Sequence, residues 1–176
     1  MADKAVKGLS NVLKDLDKFG KEADKGVDLV TRSVSMDIVA DAKSFAPKNL
    51  GASGLSGTIQ YTKVADSDYR VVVGSPYGAY VEFGTGAKVK VPAELSAVAA
   101  QFKGKKAGSF EQGLRAIKDW CKNKGIEESA AYPIFMSILK KGQEPKPYLY
   151  PAFVKGRTQY VKDLKHLLTT LTKKYD

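Results

Sequence analysis

Gly74-Ser75-Pro76-Tyr77-Gly78-Ala79-Tyr80-Val81-Glu82-Phe83-Gly84-Thr85-Gly86 follows directly on the β-type run Tyr69-Arg70-Val71-Val72-Val73. It sets one acid among two tyrosines, a phenylalanine and four glycines. A lone carboxylate in such company is either a catalytic group or a structural pin. Paired-carboxylate catalysis needs a second acid converging on the same site. The acids nearest in the sequence, Asp66, Asp68 and Glu94, fall on turns or helix starts. As a pin, Glu82 would accept hydrogen bonds from backbone N–H groups or tyrosine hydroxyls, or meet a Lys or Arg across an interface. Burying it without such partners would cost several kcal/mol. Tyr77, Tyr80 and Phe83 would pack around it. We read Glu82 as a pin that orders a turn or an interface. Whether its partner lies in the same chain or the next is open at this level.

Upstream, Thr58-Ile59-Gln60-Tyr61-Thr62-Lys63-Val64 alternates and favours strand. Asp66-Ser67-Asp68 is a turn, and Tyr69 to Val73 returns, which predicts an antiparallel hairpin. Residues 47–57 are rich in Gly, Ser, Pro and Asn and read as a loop. Before them, Leu9, Leu13, Leu16, Gly20, Ala23, Val27, Val30 and Val34 recur at spacings of three and four, and the pattern runs on through Ile38 toward Phe45. This is an amphipathic helix that stops at Ala46-Pro47, because proline disfavours helix in the residue before it. One unbroken helix would outreach a small domain and pack in part on a neighbouring subunit. The alternative is two shorter helices, broken near Gly20 or Gly26, covering one sheet.

Downstream the texture changes. Lys88-Val89-Lys90-Val91-Pro92 reads as an edge strand or extended arm. Gln101 to Gly108 is a basic loop whose Lys103, Lys105 and Lys106 are candidates to face passing DNA or an acidic partner. Phe110, Leu114, Ile117 and Cys121 share a helical face flanked by Trp120, closed by Lys124-Gly125. A further helix starts near Pro133 and runs through Phe135 and Ile138 to Gly142. Residues 87–144 therefore read as an inserted helical lobe, and 1–86 with 145–176 as the core. A closing helix follows Pro147, with Phe153, Tyr160, Val161, Leu164, Leu167, Leu168 and Leu171 as its apolar side. The fold class is α+β: long N- and C-terminal helices on a small antiparallel sheet.

The chain has 176 residues, enough for one domain with a genuine core. No run approaches the ~20 apolar residues of a membrane span, and no apolar signal core opens the chain. A soluble protein made in the cytoplasm is expected. The net charge of +10 lies wholly in the second half: residues 1–85 sum to zero, 86–147 carry +6 and 148–176 carry +4. A basic surface facing nucleic acid or an acidic protein is one reading; solvated lysine-rich helix faces are the other. Only Arg115 and Arg157 fall in that half, so bidentate base reading is poorly served.

Catalytic machinery is sparse. Cys121 and His166 are each the only residue of their type, which excludes an internal disulfide and a His/Cys metal cage. His166 lies beside Leu167 and Leu168 in a helix, and Cys121 on an apolar face, where it acts as a small hydrophobe. Gly84-Thr85-Gly86 lacks the length of a phosphate loop and the third glycine of a dinucleotide fingerprint. No enzymatic activity, catalytic residue, metal or cofactor is expected.

The segment Tyr77-Gly78-Ala79-Tyr80-Val81-Glu82-Phe83-Gly84-Thr85 resembles the central signature of the tail-completion, or neck, proteins of long-tailed bacteriophages. Pro147-Tyr148-Leu149-Tyr150-Pro151-Ala152 resembles the family's Pro-aromatic-Leu-x-Pro-Ala opening of the last helix. Ala46-Pro47, Ser53-Gly54-Leu55 and Thr58-Ile59 are similar to a third marker, and the insert with Trp120 and Lys124-Gly125 resembles a lobe carried by many members. Gly78-Ala79 stands where Ala-x is usual, and the loop 48–54 is longer than the family's. The resemblance implies a structural virion protein that forms a homo-oligomeric, six-fold ring between head connector and tail tube. Its neighbours would be head-closure and tail-terminator or tail-tube proteins, with non-specific contact to passing DNA and none to membrane. Tyr77, Tyr80, Glu82, Phe83, Gly84, Thr85, Pro147, Tyr148, Leu149 and Pro151 would then order the subunit or its interface. Alternatives are a tail-terminator or head-closure ring of the same neck, and, in another class, a free basic nucleic-acid-binding protein.

Overall fold

A computed structural model of the chain describes residues 2–48, 54–75, 77–101 and 109–175, with side chains described from Gly8 onward. The chain is mostly helical with one two-stranded antiparallel sheet, an α+β architecture. Helix α1 is continuous over Ala2–Phe45. It breaks at neither Gly20 nor Gly26. A Cβ on Gly26 would stand 2.6 Å from Leu167 Cδ1, so this glycine admits a side chain from the C-terminal helix. The helix ends as expected before Pro47, with the Ala46 N–H still bonded to the Ala42 carbonyl.

A short 3-10 turn, Leu55–Thr58, leads into β1 (Ile59–Ala65), which pairs with β2 (Asp68–Val73). The register runs Ile59 to Val73 and Tyr61 to Val71, with a bulge between Lys63 and Ala65. Ser67 holds the turn at φ 56°. The hairpin rests on α1 through Asp28. The Asp28 carboxylate accepts the Ser67 N–H at 2.9 Å and the Tyr69 hydroxyl, and lies 3.1 Å from Lys63 Nζ. The Ser67 N–H first, then Lys63, holds the Asp28 carboxyl below its ordinary range.

After the one-and-a-half-turn helix α2 (Gly78–Phe83) come α3 (Ser96–Ala100), α4 (Phe110–Asn123) and α5 (Ala131–Lys141). Lys88 to Pro92 forms no strand. A 3-10 turn at Gly86–Lys88 opens it, and its Lys90 N–H bonds the Phe83 carbonyl at 2.9 Å. A capping box between Ser109 and Gln112 starts α4. Phe110 and Phe135 meet edge to face at 5.0 Å, and Gly113 makes room for the Phe135 ring, which joins α4 to α5.

The closing helix α6 (Leu149–Tyr175) runs antiparallel along α1. The pairs Glu22–Lys174, Thr31–Tyr160 and Asp41–Lys155 mark its course. The two helices approach closely at Gly156, where any Cβ would collide with Ile38. The core lies where α1, the hairpin and the start of α6 meet, around Ile38, Ala42, Leu55, Ile59, Tyr148 and Ala152. The apolar residues of α6 differ in burial. Tyr160, Leu164, Leu167 and Leu171 turn inward, while Phe153, Val161 and Leu168 are exposed. In its last described turn α6 meets α1 at Phe19, whose ring lies 5.5 Å from that of Tyr175. The residues of α1 before Phe19 lie past the last described residue of α6 and span roughly 25 Å at ~1.5 Å per residue.

Candidate functional site

Glu82 sits on the inward face of α2 and is only 5% exposed. Its carboxylate meets the chain again some 66 residues later. Oε2 accepts the Tyr148 N–H at 2.8 Å and the Leu149 N–H at 2.9 Å, and Oε1 accepts the Tyr150 N–H at 2.8 Å. The donors are the residue just before α6 and the first two residues of the helix. A helix leaves the N–H groups of its cap and first three residues without internal partners. In α6 these fall on Tyr148, Leu149, Tyr150 and Pro151. Glu82 satisfies three of them, and Pro151 has no N–H to satisfy. The negative charge also faces the positive end of the helix dipole. The partner of Glu82 is thus the backbone of its own chain.

The surrounding chain is tied in the same way. The Val81 carbonyl accepts the Lys146 N–H at 2.8 Å. Thr85 and Gln143 bond reciprocally: the Thr85 N–H donates to the Gln143 carbonyl at 3.0 Å, and the Gln143 N–H to Thr85 Oγ1 at 2.7 Å. Gly84 sits at φ 79°, and a Cβ there would lie 2.8 Å from the Gln143 carbonyl oxygen. That position needs glycine on both counts. Gly142, at φ 75°, is pressed against Thr85 from the opposite side.

Tyr148 is 1% exposed, and its hydroxyl lies under Gly78, where a Cβ would come within 2.9 Å of it. Burial first, then the Glu82 charge and Tyr77, push the Tyr148 hydroxyl well above its ordinary pKa, so it stays protonated. Tyr77, Val81 and Leu149 are half-buried and pack on the core. Tyr80 and Thr85 are half-buried, Phe83 is buried, and Pro147 and Pro151 are exposed. The structure therefore gathers the two sequence segments 77–85 and 147–151 into one place. Lys103, Lys105 and Lys106 lie outside the described residues.

Little here is arranged for bond-making. The Glu82 oxygens are occupied by fixed backbone donors. Cys121 is fully buried in α4 and His166 is exposed on α6. Among the described residues no group of three or more His, Cys, Asp and Glu is placed to hold a metal ion. A surface depression of about 430 Å³ lies along Leu9, Leu13 and Asp17 on one exposed face of α1, remote from Glu82. Among the described residues no helix is long and apolar enough to cross a membrane.

Sequence patterns missed Asp28, which looked like one more charge off the apolar stripe. Its spacing to the hairpin carries no local signal. They offered backbone N–H groups as partners of Glu82 but did not place them at the start of α6, because backbone donors carry no sequence signature. Pro151 in the first turn of α6 was the one available hint.

The chain is thus a long helix carrying a hairpin, with its buried carboxylate committed to capping a second helix. Residues 10–84 match the family model described as "Bacteriophage HK97-gp10, putative tail-component". The match runs from α1 through the hairpin to Gly84, so it includes Glu82 and leaves out α3 to α6. The matched segment is less than half of the chain, so it is a likeness to that family over α1, the hairpin and α2. No curated protein and no solved structure matches the chain.

Proposed function

We propose that this chain is a structural subunit of the phage neck, a tail-completion protein that assembles head-to-tail into a six-fold ring joining the tail to the head connector. The observation that carries this reading is the extent of the family match, which ends on the Glu82-containing turn. The geometry of that turn supports it, because Glu82 holds a helix in place instead of facing a substrate. Contacts of the head-to-tail kind form rings when the rotation between copies closes. The protein is structural in this reading, with no catalytic step.

The test is to remove the chain from the particle and to label it in place. Particles lacking it should accumulate as unjoined heads and tails, and a tag on the chain should appear by electron microscopy at the head–tail junction. Normal infectious tailed particles without the chain would refute the proposal. A label on the tail-tube end or on the connector face would instead favour a terminator or head-closure ring.

The basic second half favours a second reading, direct nucleic-acid binding. Tight binding of the isolated chain to short duplex DNA, falling steeply with salt, would support it. Weak binding at physiological salt would leave the charge to contacts within the particle.

A further inference from the structure

The closing helix α6 turns a face of one charge toward solvent. At ~100° per residue, Thr158, Lys162, Lys165, Thr169 and Lys173 share an arc of about 80°. The arc lies roughly opposite Gly156, Tyr160 and Leu167, which meet α1. All five residues are exposed, and exposed His166 and Thr172 border them on either side. Between Thr158 and Lys173 the arc holds no carboxylate and no apolar side chain. The one acid of α6, Asp163, sits half-buried on the inner flank, where it accepts Gln159 Nε2 at 2.7 Å.

The other cations of the helix are occupied. Lys155 pairs with Asp41 at 2.9 Å, Arg157 with Glu94 at 3.2 Å and Lys174 with Glu22 at 2.7 Å. Lys155 shares the angle of the stripe but lies a turn before Thr158, so the stripe begins after it. Lys162, Lys165 and Lys173 form no ion pair among the described residues. The threonines add no free donor. The Thr158, Thr169 and Thr172 hydroxyls donate to carbonyls four residues back, at 3.0, 2.9 and 3.0 Å. The stripe therefore presents three ammonium groups along roughly 17 Å of straight helix.

Such a face suits a phosphate backbone. Duplex DNA carries one negative charge per ~1.7 Å of its axis, and lysines that neutralise phosphates release condensed counterions. Phosphate contacts of this kind fix position and carry no sequence information. The arc has no arginine to fork onto a base edge and no aromatic ring to stack single-stranded bases. A protein partner fits it less well, because interface cores are depleted in lysine and anchored by aromatic and arginine side chains. A membrane surface would take up the apolar side of α6, and that side holds α1.

We propose that the solvent face of α6, through Lys162, Lys165 and Lys173, lies along the backbone of double-stranded DNA without reading its sequence. This assignment rests on the second reading above, direct nucleic-acid binding, and deepens it by naming the surface.

Fluorescence anisotropy of a labelled random-sequence duplex with the full chain, over a series of salt concentrations, tests this. Lys162→Gln, Lys165→Gln and Lys173→Gln together should lower affinity roughly tenfold or more at low salt. They should also cut the slope of log affinity against log salt by about 2–3, near 0.9 for each lost phosphate contact. Each change alone should cut it by about 1. Circular dichroism should not change, since all three side chains are exposed. Lys122→Gln, Lys140→Gln and Lys141→Gln on α4 and α5 remove the same charge from exposed positions and should leave the slope within about 1 of its value in the unaltered chain. Equal losses from the two sets would overturn the stripe in favour of net charge alone. Binding untouched by the α6 set would overturn the surface and leave the nucleic-acid reading standing. No binding of the unaltered chain at low salt would overturn both and leave the ring reading unaffected. Polyglutamate that displaces the duplex at a lower charge concentration than unlabelled DNA would overturn the proposal in favour of an acidic protein.

Discussion

Oε1 of Glu82 accepts the backbone N–H of Tyr150 at 2.8 Å across 68 residues of chain. With Oε2 on Tyr148 and Leu149, one side chain of α2 serves as the cap of α6. Most helix caps are local, supplied by the residue just before the first turn. Here the cap comes from the far side of the intervening segment, so helix start and turn position each other.

Glu82→Gln should therefore destabilise the folded chain by roughly 2–4 kcal/mol. The carboxamide keeps the shape, loses the charge and turns an NH2 group toward N–H donors. Urea denaturation of the two proteins measures the difference. Equal stability would mean the three hydrogen bonds do not matter to the fold.

Gly78 and Tyr148 should be coupled. Gly78→Ala places a Cβ within 2.9 Å of both Tyr148 Oη and Val73 Cγ1, and should cost about 1–3 kcal/mol. In a Tyr148→Phe background one of these two obstacles is gone, so the cost should fall. A double-mutant cycle with zero coupling would contradict the contact.

The two ends of the proposed lobe 87–144 meet where Thr85 and Gln143 bond to each other. Replacing residues 87–141 by a short Gly-Ser linker should leave a cooperatively folded remainder that keeps the α1–α6 pair. Circular dichroism and a single thermal transition check this. A chain that no longer folds would make α3 to α5 part of one indivisible core.

Asp28 should shape the acid limb of stability. The Ser67 N–H and Lys63 lower its folded pKa below the unfolded value near ~3.9. Its contribution is then complete above that unfolded value and disappears as the pH falls through the lower folded one. Asp28→Asn should be less stable at neutral pH and lose less on acidification, as denaturation at a series of pH values would record. Parallel pH profiles would remove Asp28 from the hairpin anchor.

Much of this architecture was legible because it is periodic. The stripe from Leu9 to Val34 named α1, Pro47 named its end, and the alternation around Asp66-Ser67-Asp68 named the hairpin. What stayed hidden depends on residues distant in sequence. Gly26 looked like a helix breaker until Leu167 was placed against it. Phe153, Val161 and Leu168 read as one apolar side with Tyr160 and Leu171, and the structure leaves these three exposed, because burial depends on what packs along the helix as well as on its period. Glu82 stood out by composition, yet its partners carry no side-chain signature. The resemblance brought the segments 77–85 and 147–152 to notice together; only the fold joined them by hydrogen bonds.

Amide hydrogen exchange at Tyr148, Leu149 and Tyr150, in the unaltered chain and in Glu82→Gln, tests the pin most directly. The account predicts that these three amides are protected in the unaltered chain and exchange on the order of a hundredfold faster in the variant. It also predicts that amides in the middle of α1 change less. Fast exchange at all three in the unaltered chain, or rates that Glu82→Gln leaves untouched, would contradict it.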